Sequence, residues 1–463
     1  MKRRDFFRNS SLAFIGTSLL PGGSALYTQK PSKGKKAKNI IFIVSDGMST
    51  GTLNMADLLL QRKEGRRSTW LKLYEENQAV RALVDTSSAS GLVTDSAAGS
   101  SAWGGGVKVP NGSLNVNADG SFNKPILQKF KQAGKSVGCV TTVPVTHATP
   151  AGFSVNSASR GSQDEIAQQY LGLKFDVLLG GGREFFSSGQ RKDKADVFGA
   201  FSKAGYNVVH DRDALLGAGT SSKPLLGAFV ENGLPFALDA SADREILAKI
   251  PSLAEMATAA ITRLSKNPKG FALQIEGGKV DWAAHSNDIG GLLYDQIALD
   301  EALKAAIDFA KKDGETLVIF TTDHGNANPG LFGKDSNFDR IQTFKNTNDW
   351  ILRGITHHFK PAQVIERIEA AQGYAIKKEE AELLLTFYTE PKEEGLYNPY
   401  KLPFRQLGEI QGDYTSVGWA GTGHSADFVE LGAFGPGSEL IRPHIKNSDL
   451  HNIMLTAAEV AHQ

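Results

Sequence analysis

The 463-residue chain has a single cysteine, Cys139. One thiol cannot close an internal disulfide, so no disulfide framework holds this fold. Cys139 lies in the apolar run Ser136–Thr141, which reads as a buried strand, so its thiol is expected as a small core hydrophobe rather than a nucleophile. An excess of one charge is also missing: 51 Lys plus Arg face 50 Asp plus Glu. No global field is therefore available to hold nucleic acid or an anionic membrane, although a local patch remains open. A phosphate-cradling nucleotide loop is absent as well. Gly104-Gly-Gly106 and Gly180-Gly-Gly182 lack the Lys-Ser/Thr ending and read as turns. What remains, 41% hydrophobic and 22% charged residues, is the composition of an ordinary globular protein with a large core.

The N-terminus carries more information. Lys2, Arg3 and Arg4 precede the mildly apolar stretch Ser11–Leu20, and small residues follow up to Ala25. The stretch is shorter than the roughly 20 residues a membrane-spanning helix needs. Charged head, short apolar middle and small-residue end define a signal peptide over 1–25. Arg3-Arg4 followed by Phe6 and Phe7 resembles a twin-arginine signal, which implies export to the periplasm or beyond. A first amphipathic helix of the fold is the alternative, and it fits this charge order less well. No cysteine stands near Ala25, which excludes a lipoprotein anchor. Residues 26–38 read as a basic, solvated spacer.

From residue 39 on, apolar runs alternate with helical patterns. Asn39–Ser45, Phe271–Ile275 and Leu317–Thr322 are continuous apolar runs of the kind buried on both faces of a parallel sheet. Val137–Thr141 and Asp176–Leu179 look like two more. Leu292, Leu299, Leu303, Ala306 and Ala310 keep a helical stripe within 286–312. A capping box of Ser162 with Glu165 is expected to open another helix, and Leu253–Leu264 is a third. The pattern predicts an α/β three-layer sandwich with a large, mostly parallel central sheet.

In such sheets, ligands bind beyond the carboxyl ends of the strands. Three of these runs end in a carboxylate: Asp46, Glu276 and Asp323. One such residue is ordinarily a turn residue or helix cap, but three on one edge suggest a shared cation site. Asp281 and His285 are four apart and would face one way on a helical turn. Asp323 and His324 are adjacent, and His424 sits in the glycine-rich Gly421–Ala426. Carboxylate oxygen and imidazole nitrogen are zinc ligands. Thr94-Asp95-Ser96-Ala97-Ala98-Gly99 would start a helix close to an anion. On this motif alone Ser96 is equally a nucleophile or phosphate contact, with a plain N-cap by Asp95 or Ser96 as the alternative.

Taken in order, these segments resemble the alkaline phosphatases. The matching pieces are Asp46-Gly-Met48, Thr94–Ala98, His147-Ala-Thr-Pro150, Ser159-Arg160, Glu276–Asp281 with His285, Thr322–Gly325 and Gly423-His424. The resemblance spans 39–463 and implies an alkaline phosphatase domain that hydrolyses phosphate monoesters through a phosphoserine on Ser96. It implies two zinc ions, one held by Asp281, His285 and His424, the other by Asp46, Asp323 and His324. A third metal, magnesium, would sit with Asp46, Thr149 and Glu276, and Arg160 would clamp phosphate. An insert at approximately 330–420 would form a small crown that helps build a homodimer. Within it, a helix is expected over Lys377–Phe387, and His357-His358 reads as an exposed loop pair.

Two positions depart from the enterobacterial branch of that family. His147 stands where that branch has Asp, and Trp282 where it has Lys, which weakens the expected hold on magnesium. Three rival functions fit the sequence less well. A sulfatase would need a Ser/Cys-x-Pro-x-Arg motif, whereas Ser96 is followed by Ala97-Ala98. A phosphodiesterase of the same superfamily typically carries a Thr nucleophile and lacks the Arg160-type clamp. A non-catalytic exported metal- or phosphate-binding protein leaves Ser96 beside a full ligand set unexplained.

Overall fold

Along Asn39–Ser45 every residue is buried, yet neighbouring side chains go to different cores. Ile40, Phe42 and Val44 join one apolar cluster, and Ile41 and Ile43 join another. A strand's side chains alternate across the sheet, so an unbroken apolar strand means that both faces are covered. The computed structural model describes residues 36–218, 221–390, 398 and 401–462. The expected signal peptide over 1–25, and the spacer up to residue 35, lie outside the described residues.

The strands are β1 (Asn39–Ser45), β2 (Val80–Asp85), β3 (Ser136–Pro144), β4 (Val177–Gly181), β5 (Asn207–Val209), β6 (Leu225–Ala228) and β7 (Phe271–Gly277). They continue with β8 (Thr316–Thr321), β9 (Gly325–Asn326), β10 (Gly330–Leu331), β11 (Val417–Gly418), β12 (His424–Ser425), β13 (Val429–Phe434) and β14 (His444–Lys446). Ten of them make one sheet in the order β14-β2-β13-β8-β1-β7-β3-β4-β6-β5. β13 runs antiparallel to both its neighbours, and the other pairings are parallel. The sandwich and its mostly parallel sheet are as expected.

One face is covered by helices that include Ser96–Gly105, Ala148–Ser154 and Gln163–Leu173, which supply Trp103, Phe153 and Tyr170 to the core. The other is covered by Leu253–Leu264 and the later turns of Ile289–Asp313, through Met256, Leu299 and Leu303. The first turns of Ile289–Asp313 belong to a third cluster: Ile289, Leu292 and Leu293 pack with Ile351, Ile368 and Leu407. These last three come from helices Asn348–Arg353, Pro361–Gln372 and Phe404–Thr415. The stretch containing these helices is bracketed at its base by the antiparallel pair β10·β11.

Several local expectations need correction. Ser162 does precede helix Gln163–Leu173, but its side chain makes no cap bond because its backbone (φ −77, ψ 47) is not extended. The reciprocal capping box is at Ser252 and Glu255. The long helix starts at Ile289 rather than near Ser286, because Asn287 takes a left-handed φ of 47 and Asp288 caps the next turn. Gly104 and Gly105 close helix Ser96–Gly105 instead of forming a turn. A Cβ on Gly104 would lie 2.0 Å from the Gly152 carbonyl oxygen, so this glycine serves helix-to-helix approach. The expected helix over Lys377–Phe387 is shorter, Lys378–Leu385. Cys139 is buried in β3 as expected, with its thiol pushed up to about 12 by burial.

Candidate metal centre and active site

The site forms where β1, β7 and β8 end. In-register parallel pairing of β1 with β7 and β8 brings Asp46, Glu276 and Asp323 to one edge. Gly47 follows Asp46 with φ +66, and a Cβ there would lie 2.5 Å from Asp281 Oδ1. Only glycine leaves room for that carboxylate while its own N–H donates to Asp323 Oδ1 at 3.0 Å.

Three groups of donors converge. Asp46, Asp323 and His324 form one, and Asp281, His324 and His424 a second. Asp46, Glu276 and His147 form a third; within each group the ligand atoms lie within 4.8 Å of one another. His324 thus belongs to two groups. His285 joins the second edge: its Nε2 is 3.4 Å from Asp281 Oδ2 and 3.1 Å from His424 Nε2. Thr149 Oγ1 donates to Asp46 Oδ2 at 3.3 Å.

The donor set fits cations. His285 Nδ1 faces the Thr422 carbonyl oxygen at 2.7 Å, and His424 Nδ1 faces that of Thr94 at 2.9 Å. Both Nδ1 atoms therefore carry protons, and both Nε2 lone pairs point at each other. Such an opposition is stable only with a positive charge between them, and the outward N–H to carbonyl bond is the usual support of a metal-binding imidazole. Deeper in, Asp46 Oδ1, Asp323 Oδ2 and Glu276 Oε1 are buried without a hydrogen-bond partner. Unmet buried polar atoms cost about 1–3 kcal/mol each, so several at one point mark a place built for a ligand. Burial, and then repulsion among the carboxylates, holds Asp46 well above the usual carboxylate range. Burial raises Asp323 too and lifts Glu276 to about 7. Burial, then His424, pushes His324 down to about 3. It is a neutral donor over the whole physiological range.

Ser96 opens helix Ser96–Gly105, and the cap is Asp95, whose Oδ1 accepts from Ala98 N at 2.9 Å. The capping alternative thus falls to Asp95, leaving the Ser96 hydroxyl free to lie 3.3 Å from His324 Nε2. Asp95 Oδ2 also accepts from Arg160 Nη1 at 3.0 Å, and Arg160 Nη2 donates to His147 Nε2 at 3.2 Å. Partly exposed ion pairs contribute only about 0–1 kcal/mol, so this pairing matters for aim. It holds a planar two-pronged donor beside Ser96. Trp282 meets His147 edge-on, with ring centroids 6.2 Å apart.

The alkaline phosphatase family model matches residues 37–460. The chain belongs to the alkaline phosphatase family. Alkaline phosphatase 4 of Bacillus subtilis is 32% identical over 475 residues, covering 98% of each chain. The Escherichia coli enzyme is 31% identical over 376 residues, covering 72% of this chain and 79% of that one. The crystal structure of Thermus thermophilus alkaline phosphatase superposes with a TM-score of 0.85 at 32% identity, covering 96% of this chain and 97% of that one. The chain is thus a phosphoric monoester hydrolase of this family, and no helix among the described residues is long and apolar enough to cross a membrane.

Every residue singled out from the family's motifs comes to this one edge. Sequence reading missed Asn326, whose Nδ2 donates to Asp281 Oδ1 at 2.7 Å. It follows the Asp323-His324 motif by two residues, and β9·β12 pairing sets it opposite His424. Nothing in the sequence separates it from a loop asparagine. His147 was expected only as a neighbour of the third site, yet it offers a ligand atom there.

Proposed function

We propose that this alkaline phosphatase transfers the phosphoryl group of a monoester to Ser96 Oγ and then to water, using two zinc ions and one magnesium. Asp281, His285 and His424 hold the outer zinc; Asp46, Asp323 and His324 hold the inner one. Bound zinc supplies positive charge for the attacking and departing oxygens and eases ionisation of hydroxyl and water near neutral pH.

The chain's own residues do the rest. Arg160 takes two phosphoryl oxygens in its fork, oriented by Asp95. The N-terminus of helix Ser96–Gly105 turns its backbone N–H groups toward the anion. Ser96 Oγ gives up its proton to solvent and forms the new bond to phosphorus as the ester oxygen leaves, and that alkoxide takes a proton from solvent. Water then loses a proton to solvent as it attacks the phosphoserine, Ser96 departs as the leaving oxygen and takes a proton back to restore its hydroxyl, and inorganic phosphate is released. The anchored Arg160 favours a monoester over a diester, whose second ester group would occupy one of the oxygens the fork needs.

The observation that carries this reading is the Ser96 hydroxyl, not used in capping, at 3.3 Å from Nε2 of His324, the residue that two of the donor groups share. The test is acid trapping of labelled phosphoenzyme. Wild type is expected to show phosphoserine, whereas Ser96→Ala loses it and roughly 10³-fold or more of turnover while keeping both zincs. Loss of metal with unchanged residual activity would remove Ser96 from the role.

The third site is proposed to hold magnesium weakly. Burial, then Arg160, keeps His147 uncharged, with its pKa lowered to about 3. A neutral imidazole has one N–H. While Nε2 accepts from Arg160, the proton is on Nδ1. A cation on Nδ1 would move that proton opposite a guanidinium N–H. His147 thus serves the third cation or Arg160, not both. Imidazole also suits softer metals than magnesium.

Export by the twin-arginine route belongs to the same proposal. Changing Arg3→Lys and Arg4→Lys is expected to leave the precursor in the cytoplasm, and normal processing would point to the general secretory route. The expected homodimer, with the 330–420 insert as crown, is tested by sedimentation of the full chain.

A further inference from the structure

His285 is the last residue of the short helix Lys279–His285, and its side chain is 40% exposed, so packing alone does not hold it. Its Nδ1 donates to the Thr422 carbonyl oxygen. The preceding carbonyl, that of Gly421, accepts from Asn287 Nδ2 at 3.0 Å. Two side chains from one turn therefore grip consecutive carbonyls of the loop that carries His424.

Asn287 is 2% exposed, with a left-handed φ of 47. The insert surrounds it. A Cβ on Gly408, in helix Phe404–Thr415, would lie 2.6 Å from Asn287 Cβ. Asn348 Nδ2 donates to the Asn287 carbonyl oxygen at 3.4 Å and to Gln411 Oε1 at 2.7 Å. Gln411 Nε2 returns a bond to Asn348 Oδ1 at 2.8 Å and another to Gln372 Oε1 at 2.6 Å. The next residue, Asp288, caps the long helix and also binds the start of a helix of the insert: Oδ1 accepts from Gly291 N at 2.9 Å, and Oδ2 from Asn348 N at 2.7 Å. Buried amide networks whose members are mostly satisfied hold one geometry. This one joins three helices of the insert to the turn between His285 and the long helix.

We infer that Asn287 is a positioning residue for the outer zinc site, clamping the His424 loop to the His285 turn, and that the insert's amide cluster sets the clamp. This rests on the reading that Asp281, His285 and His424 hold zinc. Asn287 touches neither metal nor substrate; it acts on the distance between two ligands. Supports one step behind the ligands are worth about 10- to 100-fold in metal affinity.

The test uses the zinc-loaded full chain and a chelator of known affinity. Asn287→Gly keeps the left-handed backbone and removes the donor. It is expected to weaken one of the two zincs by about tenfold, to leave the other at its wild-type affinity, and to leave the melting point of the metal-free protein close to wild type. Asn348→Ala is expected to act in the same direction. Should that variant fail to fold, Asn287→Gly alone decides. Unchanged affinity at both sites overturns the inference, and so does equal weakening of both with a lowered metal-free melting point, which would mean a merely structural role. His285→Ala serves as the control for the underlying reading. If it leaves zinc binding at wild-type strength, the assignment of the outer ligands falls, independently of Asn287.

Discussion

The two halves of the proposed metal centre use the same donor chemistry on different supports. Asp46, Asp323 and His324 are fully buried at the ends of β1 and β8, where parallel ladders on both sides of β1 hold the backbone. Asp281, His285 and His424 stand on a short helix and a two-residue strand, with His285 partly in solvent. The inner half is rigid because the sheet's register places it. The outer half is held by side-chain bonds to loop carbonyls, which local opening can break at far lower cost.

That contrast can be broken at its strongest point. Asp323→Ala removes a carboxylate that also accepts from Gly47 and His324 backbone N–H groups. Loss of the inner zinc and roughly 10³-fold or more of turnover is expected, with little recovery at high zinc. His285→Ala should weaken the outer zinc by well over roughly 100-fold, beyond the range of a supporting residue, with turnover largely recovered as zinc is added. Metal content by atomic emission, alongside aryl phosphate turnover across a zinc titration, separates the two. Equal rescue of both variants would erase the distinction.

A smaller effect is expected where the third site meets Arg160. His147→Asp restores an anion beside Asp46 and Glu276 and should raise magnesium affinity. The new carboxylate would also engage Arg160, and Trp282 offers no compensating cation, so phosphate should inhibit less strongly. Magnesium titration of both proteins, with phosphate inhibition measured in each, checks this. Wild type that keeps stoichiometric magnesium through long dialysis, with an unchanged variant, would count against the role given to His147.

The smallest effect concerns the metal-free protein. Glu276 rises from 4.5 to about 7 on folding, chiefly through burial. A carboxyl group raised on folding opposes the native state once it must ionise. The penalty is absent below the unfolded value and complete above the folded one. The stripped protein should therefore melt at progressively lower temperature as pH rises from about 4.5 to 7, and Glu276→Gln should flatten that slope. A melting series on stripped wild type and variant reads it. A slope that is absent in wild type, or unaltered by the substitution, would show that Glu276 stays neutral or hydrated in the metal-free state.

Much of the fold was legible because strands buried on both faces write long apolar runs. β1, β3, β4, β7 and β8 were all found this way. Most of the missed strands lacked that signature; β6, buried throughout, keeps it over only four residues. β2 alternates buried and exposed residues, β5 and β14 have three residues each, and β13 carries Glu430 and Gly432 in its middle. Glu430 is tolerated there because Arg81 of the neighbouring strand pairs with it, a contact no local pattern can announce. The turn at Asn287 was missed for a similar reason: its left-handed backbone is supported by residues sixty or more positions away.

By itself the sequence determined which chemical groups are present and, through the order of its motifs, which family they belong to. The spacing of Asp281 and His285 on one helical turn, and the carboxylates closing apolar strands, are local facts that the chain states directly. Tertiary structure decided how those groups share their work. Only register between distant strands brings Asp46 to Asp323. Asp95, and not Ser96, caps helix Ser96–Gly105, because Arg160 and the Gly112 N–H converge on it. Two imidazoles present opposed lone pairs because carbonyl oxygens of Thr94 and Thr422 take their other nitrogens. Hydrogen-bond direction depends on where a partner sits in space, and that is settled by packing across hundreds of residues rather than by any neighbour in the chain.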